Sequence, residues 1–145
     1  MCVMSSEHEI EEAIGLFDVA ISHSSDSNKI AETLANYAGY YGLRCYTYLE
    51  NRHFQMGLDI NAIMHFVYSR SAKVFVVNSP LYRTTNATKL EFEILSARDD
   101  TPEIVVLNRG GADLQFPSSS AVRIFDEISD TVIIDLFLNW RLALT

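Results

Sequence analysis

The run FDVAISHSSDSNKIAETL, Phe17 to Leu34, decides how the rest of the chain is read. Four of its first five residues are apolar, so it opens as a buried strand. It then passes abruptly into Ser22-His23-Ser24-Ser25-Asp26-Ser27, where Ser25, Asp26 or Ser27 is expected to cap the next helix. From about Ser27 to Tyr41, residues Ile30, Leu34, Ala38 and Tyr41 share one helical face, and Gly42 is placed to end the helix. A helix N-terminus beyond a central strand is also a ready anion site, whose mouth Ser22, His23 and Ser24 would line.

Outward from this run the pattern repeats. LRCYTYL (Leu43 to Leu49) reads as a second strand, in which Tyr46 and Tyr48 pack on a sheet face. A polar loop leads to a helix over about Ile60 to Arg70, with Ile60, Ile63, Met64 and Val67 as its apolar stripe. KVFVVN (Lys73 to Asn78) is continuous and β-branched, as a strand covered on both faces should be. A helix over KLEFEILSARDD follows, then a fourth strand at EIVVLN (Glu103 to Asn108). Gly110 to Ser120 reads as a loop, TVIID (Thr131 to Asp135) as a fifth strand, and the last helix carries Leu136, Trp140 and Leu144 on one side. Such alternation predicts an α/β fold, a doubly wound five-stranded parallel sheet with helices on both faces. Ligands would then sit beyond the carboxyl ends of the strands, beside the loops after Ser22, Leu49, Asn78 and Asn108.

Composition narrows the function. The 145 residues suit one domain, expected from Phe17 to Thr145 after a lead-in over residues 1–16. A net charge of −8 argues against nucleic-acid partners and against docking on an anionic membrane. No apolar run approaches the roughly 20 residues that span a bilayer, and the acidic N-terminus does not read as a secretory signal. Cys2 and Cys45 make neither a disulfide framework nor a usual zinc site, so a reducing cytoplasm is expected, with no metal. A serine-hydrolase triad is disfavoured because Ser22, His23, Ser24 and Asp26 are near neighbours in sequence, and no G-x-S-x-G elbow occurs. A phosphate-receiver domain would need an acid ending the third strand, where Asn78 and Ser79 stand, and no P-loop motif is present.

Four stretches, in order, carry a resemblance. FDVAISHSSDS resembles the opening strand of a Toll/interleukin-1 receptor (TIR) domain, in which an (F/Y)-D-(V/A)-F-(I/L)-S-(H/Y) phrase leads into an acidic, serine-rich turn. GLRCYTYLE (Gly42 to Glu50) resembles its second strand. The segment from Glu50 to Tyr82 resembles the BB loop with its Gly57, the helix after it, and the third strand. KLEFEILSA (Lys89 to Ala97) resembles the helix that carries the family's catalytic glutamate. The resemblance implies a flavodoxin-like TIR fold and an enzyme that cleaves the nicotinamide–ribose bond of NAD, giving ADP-ribose or a cyclic ADP-ribose signal. It implies NAD as substrate, no cofactor, and self-association in which the BB loop of one copy completes the pocket of the next. Free-standing members resemble the antiphage sensors of Thoeris-type systems. The alternative within the family is a non-enzymatic adaptor acting through homotypic contacts.

One acid can suffice for that chemistry. Ordinary glycoside hydrolysis uses two carboxylates, one of them to protonate the leaving oxygen. Nicotinamide in NAD is already a cationic pyridinium and departs neutral, so a single carboxylate that steadies the oxocarbenium charge is enough. The expected core stripe of the helix is Leu90, Ile94 and Ala97, so Glu93 lies about 60–70° from its centre and Glu91 roughly 90° away on the side of Arg98. Glu93 is therefore the expected catalytic residue and Glu91 the alternative, otherwise a solvated acid beside Arg98. Expected substrate contacts are Ser22, His23, Ser24, Arg52, Phe54, Asn78 and Tyr82, with Asn51, His53 and Ser79 nearby. Arg52 suits a phosphate or carboxylate, and Phe54 and Tyr82 suit an aromatic ring.

Overall fold

The computed structural model describes residues 7–47, 60–82, 84, 86–98, 103–111, 114, 121–126 and 128–144. Five strands run parallel: β1 (Val19–Ser22), β2 (Cys45–Tyr46), β3 (Lys73–Asn78), β4 (Glu103–Asn108) and β5 (Ala121–Phe125). Their order is β2-β1-β3-β4-β5. The sequence pattern predicted this doubly wound sheet, and β3 and β4 keep the expected limits. Both are inner strands, so alternate residues must bury on opposite faces. Val74, Val76, Ile104 and Val106 enter one core, while Phe75, Val77, Val105 and Leu107 enter the other.

Helices α1 (Glu7–Ile14), α3 (Ile60–Arg70) and α4 (Asn86–Ser96) supply the first core, through Ile10, Ile63, Val67, Tyr68, Phe92 and Leu95. Helices α2 (Asn28–Tyr40) and α5 (Asp130–Leu144) supply the second, through Ala31, Leu34, Ala38, Ile133, Leu136 and Phe137. Each large apolar side chain fully buried here contributes about 1.5–3 kcal/mol. The end of α2 follows expectation: Gly42 has φ 74°, its amide reaches the Gly39 carbonyl, and the Leu43 amide reaches that of Ala38, a Schellman closure.

Four expectations are corrected. The lead-in holds α1, whose Ile10 is 1% exposed and packs in the first core. TVIID lies inside α5: the Ser129 hydroxyl accepts the Val132 amide at 3.3 Å, capping the helix, and Ile133, Leu136 and Phe137 recur at helical spacing. The fifth strand is AVRIF, just beyond the Gly/Pro/Ser run. At the start of α2 the hydroxyl of Ser27, the capping residue, makes no cap hydrogen bond. It donates instead to Asp26, which belongs to a network described below. Finally, α4 starts earlier than expected and turns a different face inward, with consequences for the site.

The chain leaves β1 for β2 on one side and returns to β3 on the other. This reversal opens a crevice at the carboxyl ends of β1 and β3.

Candidate functional site

Residues Ala20 and Ser22 alternate with Val19 and Ile21 along β1, so Ser22 points toward α3 and α4. On α4 the buried residues are Thr88, Glu91, Phe92, Ile94 and Leu95. Thr88, Glu91, Phe92 and Leu95 follow the i, i+3, i+4, i+7 spacing of a single helix face. Glu91 is thereby carried under the end of β1 and is 6% exposed. Glu93 is exposed, Leu90 half-buried and Ala97 exposed, so the expected stripe is rotated and Glu93 does not border the sheet.

Around Glu91 the hydroxyls form a chain. Ser22 Oγ donates to Glu91 Oε2 at 3.1 Å. A serine has one proton, so its oxygen is left to accept from the Tyr82 hydroxyl, 2.6 Å away. The Tyr68 hydroxyl, with one proton to give, stands between two acceptors, the Ile21 carbonyl at 2.9 Å and the Glu91 carboxylate. Burial drives the Glu91 carboxyl up to about 7, against the hydrogen bonds of Tyr68 and Ser22, which favour its ionised form. Burial, with the nearby Glu91 charge next, holds Tyr68 well above the ordinary tyrosine range. A carboxyl titrating near neutrality, with two hydroxyls on it, can hold or release a proton at physiological pH. Arg98 does not pair with Glu91. Its guanidinium donates to the Tyr68 and Ser71 carbonyls at 3.2 and 2.7 Å, at the end of α3.

A second network ties the loops after β1, β3 and β4. Asp26 Oδ1 accepts from Ser24 Oγ and Ser79 Oγ, both at 2.6 Å, and from Ser27 Oγ at 3.2 Å. Its Oδ2 accepts from the Leu81 amide at 3.4 Å. Desolvation pushes the Asp26 carboxyl upward, but these hydrogen bonds prevail and hold it below its ordinary value. Arg109 donates to the Asp26 carbonyl at 3.0 Å. Asn78 donates to Asn108 at 3.1 Å, and Asn108 to Asp126 at 2.9 Å. Gly111 packs so closely that a Cβ would fall 2.3 Å from Asn78 Oδ1 and 2.8 Å from the Ser79 carbonyl.

Of the expected site residues, Ser22 and Tyr82 therefore meet Glu91, while Ser24 and Asn78 stand beside them in the loop networks. His23 turns to Asn28 at 3.2 Å, and burial lowers its pKa against that bond. With His23 and Ser24 facing different partners, no triad forms. Tyr82 is a buried plug with its hydroxyl on Ser22. Arg52 and Phe54, with Asn51, His53, Gly57 and Tyr48, lie outside the described residues. Sequence reasoning missed Tyr68 and the cross-loop role of Asp26; the signal for Tyr68 was its place four residues after Met64, on the inner side of α3.

Glu93 lines a groove of about 650 Å³ between α3 and α4, with His65, Ser69, Leu90 and Ala97 among its walls. It opens on the outer side of the helices. Because ligands of such folds bind at strand carboxyl ends, the Glu91 cluster is the stronger candidate although Glu91 itself is buried. Among the described residues, no group of three or more His, Cys, Asp or Glu is placed to hold a metal ion, and no helix is long and apolar enough to cross a membrane.

No protein-family model matches the chain, and a search of curated proteins returned no match.

Proposed function

We propose that the chain is a TIR-type enzyme that consumes NAD, with Glu91 as the carboxylate that steadies the ribosyl cation. The observation that carries this reading is a buried acid at the switch point of a β2-β1-β3-β4-β5 sheet, bonded to Ser22 and Tyr68. In the ionised state Glu91 faces the developing oxocarbenium charge as neutral nicotinamide departs, and no second acid is needed. Ser22 and Tyr68 hold the carboxylate in one orientation, so no reorganisation is required as charge develops. Water arriving at the ribosyl carbon gives ADP-ribose; an intramolecular nucleophile gives a cyclic product. Signalling in antiphage defence, through self-associated copies, is the setting that the sequence resemblance suggests.

The test is chromatography of NAD incubated with concentrated wild-type, Glu91→Gln and Glu93→Gln protein. Wild type should consume NAD, Glu91→Gln should lose at least about 100-fold in rate, and Glu93→Gln should stay within about twofold. Full turnover in folded Glu91→Gln removes the assignment. A folded wild type that leaves NAD intact at high concentration favours the adaptor reading.

A further inference from the structure

Ser79 to Tyr82 form a tight turn directly after β3, closed by the Tyr82 amide on the Ser79 carbonyl at 3.0 Å. Both ends of the turn are fastened. Asp26 takes the Ser79 hydroxyl and the Leu81 amide, and the Tyr82 hydroxyl bonds Ser22, which in turn bonds Glu91. Tyr82 is 5% exposed, and its ring packs in the core that contains Tyr68 and Phe92. Leu81, beside it, is 43% exposed. The turn thus has a solvent-facing outer side at Leu81 and an inner side, at Tyr82, that lies against Ser22 and through it Glu91.

We infer that Tyr82 is a gate over Glu91 and that Asp26 is the positioning residue that holds the gate shut. With the turn in place, Glu91 is buried and protein hydroxyls, those of Ser22 and Tyr68, are its hydrogen-bond partners. Release of the Asp26 contacts frees Ser79 and Leu81 together, swings Tyr82 off Ser22, and leaves the serine and the carboxylate for a hydroxyl-bearing ligand such as a ribose. The effect on turnover rests on the reading of Glu91 as catalytic; the gate itself does not.

The experiment is carboxyl labelling of the full chain with a water-soluble carbodiimide and glycine ethyl ester, read residue by residue by peptide mass spectrometry, with NAD turnover in parallel. In wild type Glu91 should label much more slowly than Glu93. Tyr82→Phe, which keeps the ring and removes one hydrogen bond, should speed Glu91 labelling about fivefold, and Asp26→Ala about tenfold or more, with Glu93 unchanged. A purely structural Asp26 would lower the melting temperature without changing the Glu91 to Glu93 ratio. Equal labelling of the two acids in wild type overturns the gate, as does an unchanged Glu91 rate in the variants. If Asp26→Ala fails to fold, Tyr82→Phe decides alone. Faster Glu91 labelling with no NAD consumed by any variant upholds the gate and refutes the catalytic reading.

Discussion

Glu91 and Glu93 stand two residues apart on α4, with the same functional group and the same reach. One is buried under the end of β1 among Ser22, Tyr68 and Tyr82, while the other faces the open groove between α3 and α4. Two residues turn a helix through about 200°, which carries the second acid from the sheet to the solvent side. Position on the helix face, rather than the local phrase, decides which carboxyl acquires unusual chemistry. Burial without a cationic partner makes a carboxylate costly, and such groups concentrate where that cost serves a function.

The comparison breaks most directly by removing each acid in turn. In the native state Glu91 binds its proton more tightly than in the unfolded chain, with a pKa of about 7 against 4.5. Between those values the folded protein holds more protons than the unfolded one, so stability falls as pH rises. The loss amounts to about 3 kcal/mol by pH 8. Glu91→Gln should abolish this slope and raise the urea midpoint at pH 8, whereas Glu93→Gln should change stability by no more than about 0.5 kcal/mol. Equal responses of the two variants would contradict the contrast. Asp26 acts with the opposite sign: its lowered pKa contributes stability that is present above the ordinary aspartate value and lost as pH falls through the folded one.

Tyr68→Phe sharpens the same contrast. It removes the single hydroxyl proton that the Ile21 carbonyl and Glu91 share, and should cost about 2 kcal/mol in thermal or urea unfolding. It should also push the Glu91 midpoint higher, because the lost hydrogen bond favoured the ionised form. Ser69→Ala, in the outer groove, should stay within about 0.5 kcal/mol. Gly111→Ala, by contrast with Ser69→Ala, is expected to cost about 1–2 kcal/mol as the new methyl displaces Asn78 and the Ser79 carbonyl. Its distinguishing readout is a shift in the amide resonances of Ser79 to Tyr82, with those of α3 unmoved.

Much of the fold was legible because inner parallel strands must be apolar on both faces, and KVFVVN and EIVVLN satisfy that without competition from helical spacing. TVIID has similar composition but belongs to α5, because Ser129 caps it and Phe137 continues the spacing of Ile133. AVRIF was obscured by an arginine at its centre and by the loop-like residues before it. The site was harder to read for a related reason. A stripe chosen from apolar residues alone selects Leu90, Ile94 and Ala97, whereas the inward face of α4 includes Thr88 and Glu91 because the site itself is polar. Ser22 and Asn78 were legible from their places at strand ends, and Tyr82 from the loop that follows β3. The hydroxyl of Tyr68 and the reach of Asp26 to Ser79 depend on contacts 47 and 53 residues apart, which no local pattern encodes.

The most direct measurement is kcat/KM for NAD from about pH 5 to about pH 9, in wild type and in Glu91→Gln. The account predicts a wild-type profile that rises through a midpoint near 7, as Glu91 ionises, and then levels, with the variant flat and at least about 100-fold lower. A flat wild-type profile, or a variant that matches it, would contradict the assignment of Glu91.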